Sequence, residues 1–137
     1  MSKILKGRFG NSVTILMVSD LDKSKSYYQN VLGFSVDRSW AISHDFGLVY
    51  KLIQANDSKE VRPFESACNT YVYVNSFNIL NTLYDDFKDK GACFLKKLNE
   101  VEYERGAWKE FSIKDPDGYV IGFDSSFGLD EPNIVHE

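Results

Sequence analysis

The sequence has two histidines, the residue type most often used in acid–base and metal chemistry. His44 lies in a predicted turn and His136 in the C-terminal tail, so a metal site shared between them would need the tail to fold back or to come from a second subunit. Glu100, Glu102 and Glu104 occupy alternate positions and would share one face of a strand. They predict either a solvated edge or an acidic wall that favours a cationic ligand.

Aromatic side chains offer a second kind of chemistry, the stacking of a flat ligand. Aromatic residues make up 15% of the chain, enough to fill a core and also to line a cavity. Lys51 in a half-buried cleft would need an anionic partner, either a ligand carboxylate or a glutamate. The candidate ligand-binding residues are Val13, Ile15, Met17, Trp40, Tyr50, Lys51, Asn69, Tyr71, Tyr73, Trp108, Glu110 and Gly122. Among them, Val13, Ile15 and Met17 share one strand face, and Tyr71 and Tyr73 share the face of Asn69.

The elements that must position these residues follow one pattern in the first half of the chain. Val13–Val18 is rich in apolar and β-branched residues and predicts a strand. Asp20 can cap a helix over Leu21–Leu32, and Gly33 can end it. Further elements are predicted at Phe34–Ile42 (strand), His44–Gly47 (turn) and Leu48–Ala55 (strand).

The same pattern returns in the second half, after a polar connection over Asn56–Cys68. Ser76 can cap a helix that contains Phe77 and Phe87 and ends near Gly91. The strands are predicted at Asn69–Val74, Ala92–Leu98, Trp108–Ile113 and Tyr119–Phe123, with a turn at Asp115–Gly118. The order strand, helix, three strands occurs twice, which predicts an α+β fold in which two βαβββ modules form a curled mixed sheet around a ligand cleft. We expect a single domain over 1–137, with modules at about 11–55 and 69–125 and a tail at 126–137.

Two stretches resemble the glyoxalase/bleomycin-resistance/dioxygenase (vicinal oxygen chelate) superfamily. The first runs from Val18-Ser19-Asp20-Leu21 to Val31-Leu32-Gly33-Phe34. The second is Trp108-Lys109-Glu110-Phe111, continuing to Asp115-Pro116-Asp117-Gly118-Tyr119-Val120-Ile121. The resemblance spans about residues 11–125. Because these residues cap helices and form turns, they identify the fold better than the function.

The resemblance implies where a divalent metal would be held, on the first and last strands of each module. Those positions carry Val13, Lys51, Asn69 and Gly122 in this chain. Valine and glycine offer no side-chain ligand, a protonated lysine repels a cation, and a single asparagine carbonyl is a weak ligand. We therefore expect no metal and no cofactor. The resemblance is closest to the metal-free bleomycin-resistance-like branch, although Trp108 is displaced by one residue from that branch's Trp-Gly pattern and would face the other side of its strand.

Composition limits the classes of partner and the cellular location that we expect for this protein. The net charge is −4 and no dense basic block occurs, so nucleic acid is excluded as a favoured partner. Two cysteines do not make a disulfide framework, and no apolar run reaches membrane-spanning length, which predicts a cytoplasmic protein without a membrane partner. A homodimer is expected, since open sheet edges favour a symmetric pair.

Three functions fit these features. The favoured one is a small-molecule-binding protein that sequesters an aromatic or cationic ligand without a metal, as in antibiotic resistance. The second is a metal-dependent lyase, isomerase or ring-cleaving dioxygenase with displaced ligands. The third is a regulatory binding module.

Overall fold

Two four-stranded mixed sheets, each packed against one helix, make up the fold. The structure is a computed structural model that describes residues 12–45, 47–64, 68–104 and 106–126. The elements are β1 Thr14–Val18, α1 Leu21–Ser26, a π turn Tyr27–Val31, β2 Ser35–Asp37, β3 Trp40–Ser43, β4 Leu48–Gln54, a 3₁₀ turn Ser58–Glu60, β5 Thr70–Tyr73, α2 Phe77–Asp89, β6 Cys93–Tyr103, β7 Gly106–Lys114 and β8 Val120–Ser125.

The strand order is the same in both modules. It is β1-β4-β3-β2 in the first sheet and β5-β8-β7-β6 in the second. The first and last strands of each module pair in parallel, and the other pairs are antiparallel. The predicted α+β class with two βαβββ modules is confirmed. The single domain over 1–137 stays a prediction, and the predicted tail lies outside the described residues except for Ser126.

Local signals set the helix ends as predicted. The Asp20 carboxylate accepts the Lys23 N–H at 3.1 Å, and the Ser76 hydroxyl accepts the Ile79 N–H at 3.1 Å. Each side chain satisfies a backbone donor of the first turn that has no partner within the helix. Gly33 and Gly91 follow the helical segments at φ 77° and 86°, a region that glycine enters without strain.

One predicted strand is wrong. The segment Phe34–Ile42 forms two strands, β2 and β3, that pair with each other across a tight turn at Arg38 and Ser39. Arg38 has φ 58°, which is uncommon for a residue with a side chain. No glycine or proline marks this turn, so the residue types alone favoured a continuous strand.

Each sheet has a helix-packed face and an opposite face, which we call the open face. On the first sheet Val18 and Leu52 are fully buried on the helix-packed face, while Ile15 on the open face is 58% exposed. On the second sheet Phe111 and Phe123 stack at 5.0 Å on the helix-packed face. Buried residues of both modules form one hydrophobic cluster, so the two helix-packed faces share a core.

Polar contacts join the two modules at the β7–β8 turn. The buried Asp115 carboxylate accepts the Tyr28 hydroxyl at 2.9 Å and the backbone N–H groups of Asp117 and Tyr119 at 2.8 and 2.9 Å. The Tyr119 hydroxyl donates to the Met17 carbonyl at 2.7 Å. The turn predicted from Asp-Pro-Asp-Gly therefore also holds the first helix and the first strand in place.

Candidate functional site

The open face of the first sheet presents apolar side chains to solvent. Val13 is 40% exposed and Ile15 is 58% exposed, and Met17 on the same face is half-buried. These side chains give the open face of the first sheet an apolar contact area.

Trp40 and Lys51 form a pair on this open face. They are cross-strand partners of β3 and β4, and the Lys51 ammonium lies 5.3 Å from the centre of the Trp40 ring. A cation over an aromatic face is attracted to the ring quadrupole, by about 0.5–1 kcal/mol where solvent reaches the pair. The pair offers a flat surface and a positive charge for a ligand, and it brings no metal-binding donor.

Tyr50 is not part of either open face. It is 1% exposed on the helix-packed face of the first sheet, where its ring stacks on Phe34 at 6.1 Å and meets Tyr28 edge-on at 5.5 Å. Burial raises the pKa of its hydroxyl. Neighbouring residues of a strand point to opposite faces, so Tyr50 and Lys51 cannot share one surface.

The open face of the second sheet carries the remaining candidates. Tyr71 and Tyr73 are 46% and 72% exposed, and their rings meet edge-on at 5.6 Å. Trp108 and Glu110 are half-buried and alternate with the core residues Ala107 and Phe111, which places them on the open face. Aromatic rings and a carboxylate thus lie on one surface.

Gly122 lies beneath two side chains of the same face. A Cβ atom at this position would come within 2.6 Å of the Cys68 sulfur and 2.8 Å of the Tyr71 ring carbon Cδ1. Real Cβ atoms do not approach other atoms so closely, so any larger side chain here must displace its neighbours. The glycine is what allows Tyr71 to lie across β8.

The other predicted metal-ligand positions are engaged elsewhere or lack a donor. The Asn69 side-chain oxygen accepts the Val120 N–H at 2.9 Å, and the Asn69 N–H donates to the Val120 carbonyl at 2.8 Å. Val13 has no donor atom, and the Lys51 charge lies over Trp40. In the part of the chain that the structure describes, no three His, Cys, Asp or Glu side chains form a group suited to a metal. These positions do not fit a divalent metal.

The described histidine and the glutamates considered for acid–base or metal chemistry lie apart from the open faces. His44 is exposed in the β3–β4 turn, and His136 lies outside the described residues. Glu100 pairs with Lys109 across β6 and β7, and Lys109 reaches Asn81 of α2 at 3.2 Å. The exposed row of Glu100, Glu102 and Glu104 therefore begins on the helix side of the sheet, which favours the interpretation as a solvated edge.

Sequence reasoning missed Asp124, which directly follows the predicted end of the last strand at Phe123. Asp124 belongs to β8 and shares the open face with Gly122 two residues earlier. It is 8% exposed, and its Oδ2 accepts the Tyr71 hydroxyl at 2.5 Å. Parity with Gly122 would have found it, had the last strand been extended by two residues.

Burial shifts the ionisation of this polar group. Burial raises the pKa of Asp124, the Tyr71 hydrogen bond lowers it, and the nearby Glu110 charge raises it again. Burial, together with the Asp124 contact, raises the pKa of Tyr71, and burial raises the pKa of the Cys68 thiol. At neutral pH the tyrosine and the cysteine therefore keep their protons, and Tyr71 acts as a hydrogen-bond donor.

Comparison with known families identifies the fold. The model of the Glyoxalase/Bleomycin resistance protein/Dioxygenase superfamily matches residues 11–123. The chain belongs to this superfamily. Members of the superfamily bind small molecules, which is consistent with two open sheet faces. A search of curated proteins gives no match.

Three solved structures are similar in fold, two of them from superfamily members. A member from Alicyclobacillus acidocaldarius is 17% identical, with a TM-score of 0.69, and the match covers 89% of this chain and 95% of that one. A member from Sphaerobacter thermophilus is 16% identical, with a TM-score of 0.62 and coverage of 86% and 98%. TioX from Micromonospora sp. is 14% identical, with a TM-score of 0.56 and coverage of 85% and 96%. At these identities the likeness supports the fold alone.

Among the described residues, no helix is long and apolar enough to cross a membrane. The longest, α2, has 13 residues and carries several charges.

Proposed function

We propose that this superfamily member binds a small organic molecule on its open faces without a metal ion or other cofactor, and sequesters it rather than transforming it. The observation that carries the proposal is the packing at Gly122. At a position where the superfamily places a carboxylate ligand, this chain has a glycine covered by Tyr71 and Cys68. A site that has replaced its metal ligand with an aromatic ring is suited to stacking and hydrogen bonding.

The side chains on the open faces support an aromatic or a cationic ligand. Trp40, Tyr71, Tyr73 and Trp108 supply flat apolar surface, and Glu110 supplies negative charge. The proposed ligand-binding set keeps the predicted residues other than Tyr50, which lies in the core, and Asn69, whose side chain holds the start of β8. This resembles sequestration by the bleomycin-resistance-like branch, and antibiotic resistance is one role such binding would serve.

A homodimer is part of the same proposal. Val13, directly before edge strand β1, and Ile15 within it expose apolar side chains, and a second copy of the chain would bury them. The cytoplasmic location and the lack of nucleic-acid and membrane partners stay predictions from composition. A displaced-metal enzyme and a regulatory module stay alternatives that no described contact favours.

The proposal is tested by a ligand screen on the full chain after removal of metals with EDTA. Planar aromatic compounds that are cationic, anionic or neutral are added, and the melting temperature Tm is followed. A compound present at ten times its Kd should stabilise the folded state by about 1.4 kcal/mol, which raises Tm by roughly 5 °C. Tyr73→Ala and Trp40→Ala should reduce the shift, since each removes an aromatic ring from an open face.

The control variant is Phe64→Ala, which removes a ring that is 63% exposed from the connection between the modules. It should leave the shift unchanged. A shift that appears only after metal is added back, or that falls equally in Phe64→Ala, would count against the proposal.

A further inference from the structure

We propose that Glu110 and Asp124 form a binding site for a protonated amine on the open face of the second sheet. This inference rests on the proposed function and names the ligand class of that surface. The two carboxylates are direct cross-strand partners of β7 and β8, on the same face. Like charges placed opposite each other weaken a sheet, so the pair calls for a cation between them.

Asp124 provides a carboxylate oxygen that lacks a hydrogen-bond donor among the described residues. Its side chain is more than nine-tenths buried, and its Oδ2 accepts the Tyr71 hydroxyl. Its Oδ1 is buried and has no hydrogen-bond partner within the part of the chain that the structure describes. A buried carboxylate oxygen without a donor is costly, and an ammonium N–H is a donor that would both bond to it and neutralise its charge.

Lys96 shows that this surface accepts an ammonium group. Its Nζ lies 3.0 Å from Glu110 Oε2, but the lysine side chain is 56% exposed whereas that of Glu110 is 21% exposed. An exposed ion pair of this kind contributes little and opens readily. One lysine also balances only one of the two carboxylates. The Lys96 ammonium therefore marks the place that a ligand amine would take.

The surrounding rings define the rest of the ligand. Tyr71 and Tyr73 meet edge-on at 5.6 Å beside Asp124, and both are well exposed. The Tyr71 ring packs over Gly122 and its hydroxyl is bonded to Asp124, so an amine that reaches the buried Oδ1 must displace this ring. A flat apolar group next to the amine would stack on these rings, so the chemical class is an arylalkylamine.

The test uses benzylamine as the probe and benzyl alcohol as its neutral counterpart. Both are titrated into the ¹⁵N-labelled, EDTA-treated full chain at neutral pH, and the amide shifts are mapped by NMR. Benzylamine should give saturable shifts at Tyr71, Glu110 and Asp124, and benzyl alcohol should bind at least about tenfold more weakly.

Three variants of the site and one control variant test the amine site further. Asp124→Asn and Glu110→Gln should each weaken benzylamine binding about tenfold, because each removes one charge-assisted hydrogen bond while keeping the shape. Lys96→Met should strengthen binding about threefold, because it removes the competing ammonium. Asp89→Asn, at the far end of α2, lowers the net negative charge equally and should change nothing.

Equal binding of benzyl alcohol, no binding of benzylamine, or shifts that map outside these strands would overturn the amine site. The amine site would also be overturned if Asp89→Asn weakens benzylamine binding as much as Lys96→Met strengthens it. Binding would then follow only the net charge of the protein. The proposed function would still stand if neutral or anionic aromatic compounds raise Tm in the metal-free screen. The proposed function would fail as well only if none of those compounds raises Tm.

Discussion

Replacing Asp115 with alanine should lower the free energy of unfolding by about 3 kcal/mol. The carboxylate accepts the hydroxyl of the buried Tyr28 and two backbone N–H groups of the β7–β8 turn. Alanine leaves two buried donors and one partly buried donor without a partner, and each buried donor costs about 1 kcal/mol or more. The measurement is urea unfolding followed by circular dichroism at pH 7.

Asp115→Asn is the matched control, because its side-chain oxygen can still accept both backbone N–H groups. It should lose less than half as much stability as the alanine variant. Burial raises the pKa of Asp115 from 3.8 to about 6, although its hydrogen bonds lower it in part. The folded state therefore takes up a proton at a higher pH than the unfolded state, so this residue's contribution to stability grows as pH falls from 7 towards 4.

The asparagine variant has no carboxyl group to titrate at this position. As pH falls from 7 to 5, the free energy of unfolding of the wild-type protein should therefore rise relative to that of Asp115→Asn. A stability difference that does not change with pH would show that the carboxyl titrates normally. An alanine variant as stable as wild type would contradict the role assigned to the β7–β8 turn in joining the modules.

Replacing Gly122 with alanine should cost about 2 kcal/mol, within the range for overpacking a filled site. The added methyl group would lie 2.6 Å from the Cys68 sulfur and 2.8 Å from Tyr71 Cδ1, so both side chains must move. Moving the Tyr71 ring also strains its hydrogen bond to Asp124. Urea unfolding gives the stability, and the Tyr71 and Asp124 amide shifts report the displacement.

A double-mutant cycle with Cys68→Ala isolates the contact. Without the sulfur atom, Gly122→Ala should cost about half as much, which is a coupling of about 1 kcal/mol. If the glycine variant is neutral in both backgrounds, the space above β8 is free. Position 122 would then have room for a larger side chain, which would contradict the packing on which metal-free binding rests.

The fold was predictable because its signals are local. Asp20 and Ser76 cap helices, Gly33 and Gly91 end helical segments, and strand parity placed Ile15 and Met17 on an open face. The β2–β3 hairpin was missed because its turn residue, Arg38, takes a positive φ that its type does not favour. A long-range hydrogen bond from Leu52 to the Ser39 carbonyl helps to hold that turn, and no local pattern reveals it.

The site was predictable only in part, because it depends on packing between strands. Alternation alone separates Lys51 on the open face from Tyr50 in the core, but it does not show that Lys51 lies over Trp40. Asp124 was missed because the last strand continues to Ser125, two residues beyond its predicted end. Its contact with Tyr71 joins residues 53 positions apart in the sequence and follows from the parallel pairing of β5 with β8.

Calorimetric titration of the full chain, freed of metal with EDTA, tests metal-free binding most directly. Ni²⁺, Zn²⁺, Mn²⁺ and Fe²⁺ (the last under anaerobic conditions) are titrated separately. The positions of Val13, Lys51, Asn69 and Gly122 offer no suitable set of donors, so none of the four ions should bind saturably with one ion per chain. One tightly bound ion per chain would contradict metal-free binding. It would favour the alternative of a metal-dependent enzyme with displaced ligands.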